Sequence, residues 1–219
     1  MNTNIENTNV TTNLTNVSNV IAISGTIVSE PVFSHTVFGE SFYLFSLEVK
    51  RMSDTHDIIP LMISERLTDI SELRCGVTVK ANGQFRSFNK HEESKNRLVL
   101  SVFVRDIEII EDSDDSNNEN DIFLDGFVCK APIYRKTPLG REIADVLLAV
   151  NRPYGKSDYI PCICWGRNAR FAERLEVGQR VNIKGRLQSR SYNKKIDEDN
   201  IVTRIAYEVS VSKIESIEQ

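Results

Sequence analysis

Tryptophan occurs once in these 219 residues, histidine three times and cysteine four times. His35, His56 and His91 all lie in the first half, and Cys75, Cys129, Cys162 and Cys164 form no Cys-x-x-Cys pair. That spacing supplies neither a zinc cluster nor a disulfide framework, so no metal and no cofactor are expected. Cys162 and Cys164 share one face of an expected strand and read as small buried thiols of a reducing compartment. No apolar run approaches the roughly 20 residues of a membrane helix, so no membrane partner is expected. The Asn- and Thr-rich start lacks the basic and apolar segments of a signal peptide, which reads as a cytoplasmic chain with a disordered arm over residues 1–19. Phosphate-binding glycine loops, nucleophile elbows and metal-ligand spacings are missing too, and Asp145 and Glu173 read as solvated carboxylates, so an enzyme is not expected.

What is present is a repeat. Gly25, Pro31, Thr36, Gly39, Leu47, Val49, Arg51, Pro60 and Arg66 recur 101 residues later as Gly126, Pro132, Thr137, Gly140, Leu148, Val150, Arg152, Pro161 and Arg167. After a one-residue insertion, Leu73, Gly76, Val79, Gly83 and Ser87 recur as Leu175, Gly178, Val181, Gly185 and Ser189. The period is too long for a solenoid and has the size of a small domain, which implies two copies of one domain. The boundaries read as residues 20–110, an acidic linker over 111–121, and residues 122–219. Net charge is −4 for the whole chain. It is spread unevenly, because 122–219 carries 17 Lys and Arg against 12 Asp and Glu, 20–110 carries 10 against 12, and the linker EDSDDSNNEND carries six acids and no base. The second copy is basic and the first is not.

Each copy reads as three strands, a short helix and two more strands. In the second copy Ile122–Lys130 has strand character, 136–140 is a turn, and Glu142–Arg152 and Tyr159–Trp165 are strands. Asn168–Leu175 places Phe171, Ala172 and Leu175 on one helical face, and Arg180–Tyr192 and Ile201–Ile214 are the last strands. That order predicts an all-β chain with one short helix per domain, built as two tandem OB-fold five-stranded barrels. An SH3-like barrel lacks the helix. In the first copy Ser64–Leu73 is the weaker helix.

Faces then separate core from surface. Along Arg180–Tyr192 the odd positions Val181, Ile183, Gly185 and Leu187 are apolar or small. The even positions include Arg180, Lys184, Arg186, Gln188 and Arg190 and end at Tyr192, so one side fills a barrel and the other presents a line of cations closing on a ring. In the strand before the helix, Tyr159, Pro161, Ile163 and Trp165 face away from Ile160, Cys162 and Cys164. Only one of those apolar faces can enter a small barrel, so the other is covered by a partner subunit, the other copy or a flat ligand. Cations beside rings suit single-stranded nucleic acid, because Lys and Arg follow phosphates while rings stack on bases. Aromatics buried at a dimer interface beside a solvated basic strand are the alternative.

The second copy resembles the bacterial single-stranded DNA-binding proteins, through Pro138-Leu139-Gly140, the strand ending Leu147–Val150, the segment Tyr159–Ala169, and the block Leu175–Tyr192. It is similar also to primosomal replication protein N. The resemblance implies sequence-independent binding and protection of single-stranded DNA in replication, recombination or repair, on the nucleoid, by a homodimer bringing four OB domains together. It places the stacking rings at Tyr154, Tyr159, Trp165 and Tyr192, three of them Tyr where the family usually has Trp. Arg152, Arg167, Lys184, Arg186 and Arg190 complete the expected nucleic-acid-binding set. The corresponding first-copy positions are Ser53, Ile58, Ser64 and Lys90, none aromatic, and of Phe85 and Phe88 only Phe88 shares the outward parity of Arg86. The expectation is a division of labour, with the first domain serving assembly or a weaker backbone track through Lys80, Arg86 and Lys90. The family's acidic, Phe-containing tail tip has no counterpart in Lys213–Gln219, which puts recruitment of replication or repair proteins by that route in doubt. An assembly component of a replication or primosome complex, its aromatic face meeting protein, is the alternative function.

Overall fold

The computed structural model describes residues 18–51, 53, 55–92, 95–110, 118–195 and 201–218. The predicted N-terminal arm up to residue 17 and the predicted linker from 111 to 117 lie outside them. Alternation of apolar and polar residues sets the strands, as in β1 (Asn19–Val37), where Ile21 and Ile23 are fully buried while Val20 is exposed. β2 (Glu40–Lys50), β3 (His56–Ser64), β4 (Thr78–Glu92) and β5 (Lys95–Ile110) follow. β1 pairs with both β2 and β4, β2 with β3 and β4 with β5, all antiparallel. A short parallel pairing of β3 with β5 closes the barrel. Closure leaves the inward parity to a single core, which holds Leu47, Val49, Leu61, Phe85 and Val102.

The second half repeats this with β6 (Asn120–Val128), β7 (Ile133–Lys136), β8 (Glu142–Asn151), β9 (Ser157–Trp165), the helix α1 (Arg167–Ala172), β10 (Arg180–Lys195) and β11 (Ile201–Ser216). β9 and β11 again make the parallel closure. Both halves are therefore OB barrels. β6 begins at Asn120, inside the stretch read from composition as linker. β7 was not anticipated. Together β6 and β7 take the place of the single long β1, and the chain is interrupted between them ahead of Pro132, which has no amide hydrogen for a ladder. In β1 the matching Pro31 falls at a register shift between Ser29 and Val32 instead.

The helix expected over Ser64–Leu73 is corrected by the structure to a 3-10 turn of Ile70–Glu72. In α1, Ala169 and Ala172 are buried against the barrel. The first copy has Thr68 and Ser71 there, and the Asp69 carboxylate accepts the Ser71 amide at 2.9 Å. Such local side-chain bonds compete with helix formation.

Gly83 and Gly185, equivalent in the repeat, sit at equivalent register shifts of β4 and β10. A Cβ on Gly83 would collide with the carbonyl oxygen of Phe103, and one on Gly185 with that of Ser210. Gly83→Ala is expected to cost about 1–3 kcal/mol in chemical denaturation, the usual cost of overpacking. A loss below about 0.5 kcal/mol would show that the bulge yields.

One pairing joins the barrels. β1 and β6 run antiparallel with Ile21 opposite Ile122, which are repeat equivalents, so a pseudo-dyad passes between them. Asn19 donates to the Phe85 carbonyl at 2.7 Å and accepts the Phe85 amide at 2.9 Å. Asn120 does the same with Leu187, both at 2.8 Å. The result is one 11-stranded sheet carrying two barrels. Cys162 and Cys164 are buried, and burial pushes the Cys164 thiol up to about 12 and the Cys162 thiol well above its ordinary value, so both act as apolar filler. Among the described residues no helix is long and apolar enough to cross a membrane.

Candidate nucleic-acid interface

β9 divides as its alternation requires. Ile160, Cys162 and Cys164 fill the barrel, while Tyr159 and Trp165 stand outside it, each 41% exposed. Six residues of strand, at about 3.3 Å each, separate the two rings by roughly 20 Å. Between them Ile163 faces outward yet is 5% exposed, so this apolar outer face is open to solvent chiefly at its ends. Tyr154 lies in a short 3-10 turn, Pro153–Gly155, with φ at 65°, and is fully exposed. A non-glycine residue in that region carries backbone strain, here coupled to complete presentation of a ring to solvent. Tyr192, on β10, is 38% exposed.

The cation line on β10 is broken. Val181, Ile183 and Leu187 are fully buried, as predicted. On the other face, Arg180 is clamped by Asp125 through two hydrogen bonds of 2.9 and 2.7 Å, which hold its pKa above the usual value. Gln188 is buried and donates to Glu208 at 2.9 Å, and Arg190 pairs with Glu208 at 3.5 Å. Lys184 is exposed and Arg186 half-buried, and among the described residues neither has an ion-pair partner. Arg167, exposed, opens α1 two residues after Trp165.

Arg152 is placed at the junction between the barrels. It pairs with the buried Asp158 at 3.1 Å and donates to the Ser87 carbonyl at 3.3 Å. The Ser87 amide donates to Asp158 at 2.6 Å, and the Tyr159 amide donates to the Ser87 hydroxyl at 2.7 Å. The pseudo-dyad repeats the motif with Arg51, Asp57 and Ser189. Arg51 holds Asp57 with bonds of 2.7 and 2.6 Å and donates to the Ser189 carbonyl at 3.0 Å, while the Ser189 amide donates to Asp57 at 2.6 Å. The two carboxyls nevertheless shift in opposite directions. At Asp57 burial raises the pKa, but the Arg51 and Ser189 hydrogen bonds outweigh it and hold the group below its ordinary value. At Asp158 burial wins, and Ser87, Arg152 and Arg86 only partly offset it.

At the first-copy counterparts of the stacking positions, Ser53 is exposed, Ile58 is half-buried, and Ser64 is buried with its hydroxyl on Glu40. Lys80 is tied to Glu119 at 2.8 Å. The side chain of Lys90 lies outside the described residues. Phe85 is buried and Phe88 is exposed, as their parity requires. One cluster of the first barrel escaped the sequence reading. The Arg86 guanidinium lies 4.0 Å above the centroid of Phe103 and that of Arg105 lies 5.0 Å from it. The Phe103 ring is 5.8 Å from that of Phe42, on which His35 stacks at 5.1 Å. Buried Leu100, Val102 and Val104 were the available signal, since they turn Phe103 and Arg105 outward.

The profile of the single-strand binding protein family matches residues 119–216. A single-stranded DNA-binding protein of Clostridium acetobutylicum is 34% identical over 96 residues, 41% of this chain and 67% of its own length. The chain belongs to the single-strand binding protein family. Single-stranded DNA-binding protein 3 of Listeria innocua is 36% identical over 104 residues, 44% of this chain and 64% of its own length. This chain spans about three fifths of the length of the curated relatives it matches. The crystal structure of the wild-type single-stranded DNA-binding protein from Thermus aquaticus superposes with a TM-score of 0.74 at 18% identity, covering 92% of this chain and 93% of that one. The sequence match to the family thus rests on the second barrel, while the likeness of fold extends over both. Membership also places the chain among binding proteins and not enzymes.

Proposed function

We propose that this chain binds single-stranded DNA without regard to sequence, mainly through its second barrel, and protects it in replication, recombination or repair. The observation that carries the reading is β9. Its inward parity fills the barrel, yet it holds Tyr159 and Trp165 outside, half uncovered, and β10, across β11 from it, carries Lys184 and Arg186, which have no ion-pair partner among the described residues. Bases stack on Tyr154, Tyr159, Trp165 and Tyr192, and phosphates meet Lys184, Arg186, Arg167 and Arg190. Arg152 supports this surface from the junction. The first barrel, with Ser64 enclosed where Trp165 stands in the second, contributes no base stacking at these positions. Two barrels already meet across the pseudo-dyad in one chain, and a cytoplasmic homodimer would present four.

Trp165 is the sole tryptophan. Its fluorescence is expected to be quenched on titration of the full chain with oligo-dT, and the affinity to fall with salt. Saturating oligo-dT that leaves the emission unchanged would refute stacking at Trp165. Arg186→Ala is expected to reduce the slope of log affinity against log salt by about 0.7, the value for one phosphate contact on a single strand. An unchanged slope would remove Arg186 from the phosphate contacts.

A further inference from the structure

The pseudo-dyad makes every junction residue comparable with a mate, and the two ends of the junction differ. Following the pairings of β4 with β5 and of β10 with β11, Arg86 corresponds to Gln188, Phe103 to Ser210, Arg105 to Ser212 and Ser101 to Glu208. At the second-barrel end a buried carboxylate, Glu208, meets Gln188 and Arg190. At the first-barrel end Ser101 stands in place of Glu208, and among the described residues no carboxylate hydrogen-bonds to Arg86. Arg86 donates both bonds to a neutral acceptor, the Gln84 side-chain oxygen, at 3.2 and 2.6 Å. Burial together with the charges of Arg105 and Arg152 pulls its pKa from the usual value down to about 10, with Asp158 as the opposing influence. Three guanidiniums thus converge on one edge of the junction, two held by the Phe103 ring, with one buried carboxylate that already serves Arg152. Like charges gathered at a half-buried place are costly without an anion. Arg105 is exposed, so the cluster is open to one.

We infer that Arg86 and Arg105, oriented by Phe103 and backed by Arg152, form a phosphate-binding site on the first barrel, over which a single strand leaving the rings of the second barrel crosses the junction. This rests on the function proposed above and deepens it. The bases stack on the second barrel, and the first takes the backbone. The ring gives each guanidinium a fixed plane, so its remaining N–H groups meet a phosphate with little ordering left to do. The track lies on β4 and β5 at the junction. Lys80, predicted from sequence to belong to it, is held instead by Glu119.

The mate copy supplies the test variant. Gln188 and Ser212 show which residues this backbone carries at the same places, so the full chain with Arg86→Gln and Arg105→Ser is the probe. Binding to oligo-dT of about 8 and about 30 nucleotides, within and beyond one barrel's reach, is measured by anisotropy of labelled DNA at several salt concentrations. For the long oligonucleotide the salt slope is expected to fall by about 1.4 and the affinity roughly ten-fold, with the short one unaffected. A long-oligonucleotide slope equal to that of the unsubstituted chain would overturn the inference, and so would equal weakening of short and long. If the unsubstituted chain binds neither, the function proposed above fails instead. Arg105→Ser alone, at an exposed position, carries the same comparison should the double variant melt earlier.

Discussion

Asp57→Ala is expected to destabilise the chain by about 3–5 kcal/mol, the cost of breaking a buried ion pair by removing one partner. Asp57 is fully buried and serves both barrels at once. It takes two hydrogen bonds from Arg51, and it accepts the amide and the hydroxyl of Ser189 at 2.6 and 3.0 Å. Without it, Arg51 loses its hydrogen-bonded counter-ion and keeps only the more distant charge of Glu208, and the Ser189 amide loses its acceptor. Urea denaturation at neutral pH reads the loss, and a change below about 1 kcal/mol would mean that the junction reorganises around the gap. The carboxyl's depressed pKa fixes the sign of the pH effect. Its contribution is complete above the ordinary aspartate value, about 3.9, and disappears as pH falls through the lower folded value. Asp158 has the opposite sign. Its folded pKa lies above the ordinary value, so ionising it as pH rises through that value costs stability. Asp158→Asn is therefore expected to be milder than Asp57→Asn at neutral pH. Equal losses would show that the closer Arg51 clamp adds nothing.

Tyr159→Ala combined with Trp165→Ala is expected to weaken oligo-dT binding by about 1–3 kcal/mol for each ring removed, the range found for base-aromatic stacking. The loss should be nearly the same for thymine, cytosine and adenine tracts, because every base offers a π-face. Both rings lie outside the barrel and their strand neighbours Ile160 and Cys164 fill it, so the core should keep its packing. Anisotropy of labelled oligonucleotides reads the affinity, and the melting temperature serves as the control for folding. Undiminished affinity in a folded double variant would move the binding surface away from β9. Loss of one base type only would replace stacking with readout of base edges.

Legibility followed periodicity. Strict alternation in Arg180–Tyr192 gave the inward set Val181, Ile183 and Leu187, and the same rule put Tyr159 and Trp165 outside and separated Phe85 from Phe88. Alternation reports which side a residue faces but nothing about what meets it there. Arg152, Arg180 and Gln188 all have outward or loop positions, and each is engaged by a residue distant in sequence: Ser87, Asp125 and Glu208. The Arg86–Phe103–Arg105 cluster depends on the pairing of β4 with β5, which one strand's pattern does not encode. The first-copy helix failed for a local reason, since the repeat of the second copy's element order suggested a helix over Ser64–Leu73 while Thr68, Asp69 and Ser71 favoured a capped turn.

The β1–β6 pairing has a consequence for how this molecule can change. In a homodimer, a substitution at a two-fold interface appears at both ends, and must be tolerated twice. Here each half of the interface is separately written in one chain. Ring and guanidinium can occupy one end while serine and carboxylate occupy the other, with the backbone hydrogen bonds of Asn19 and Asn120 kept alike. A surface joined in this way has a direction, and a polymer lying across it can distinguish its two ends.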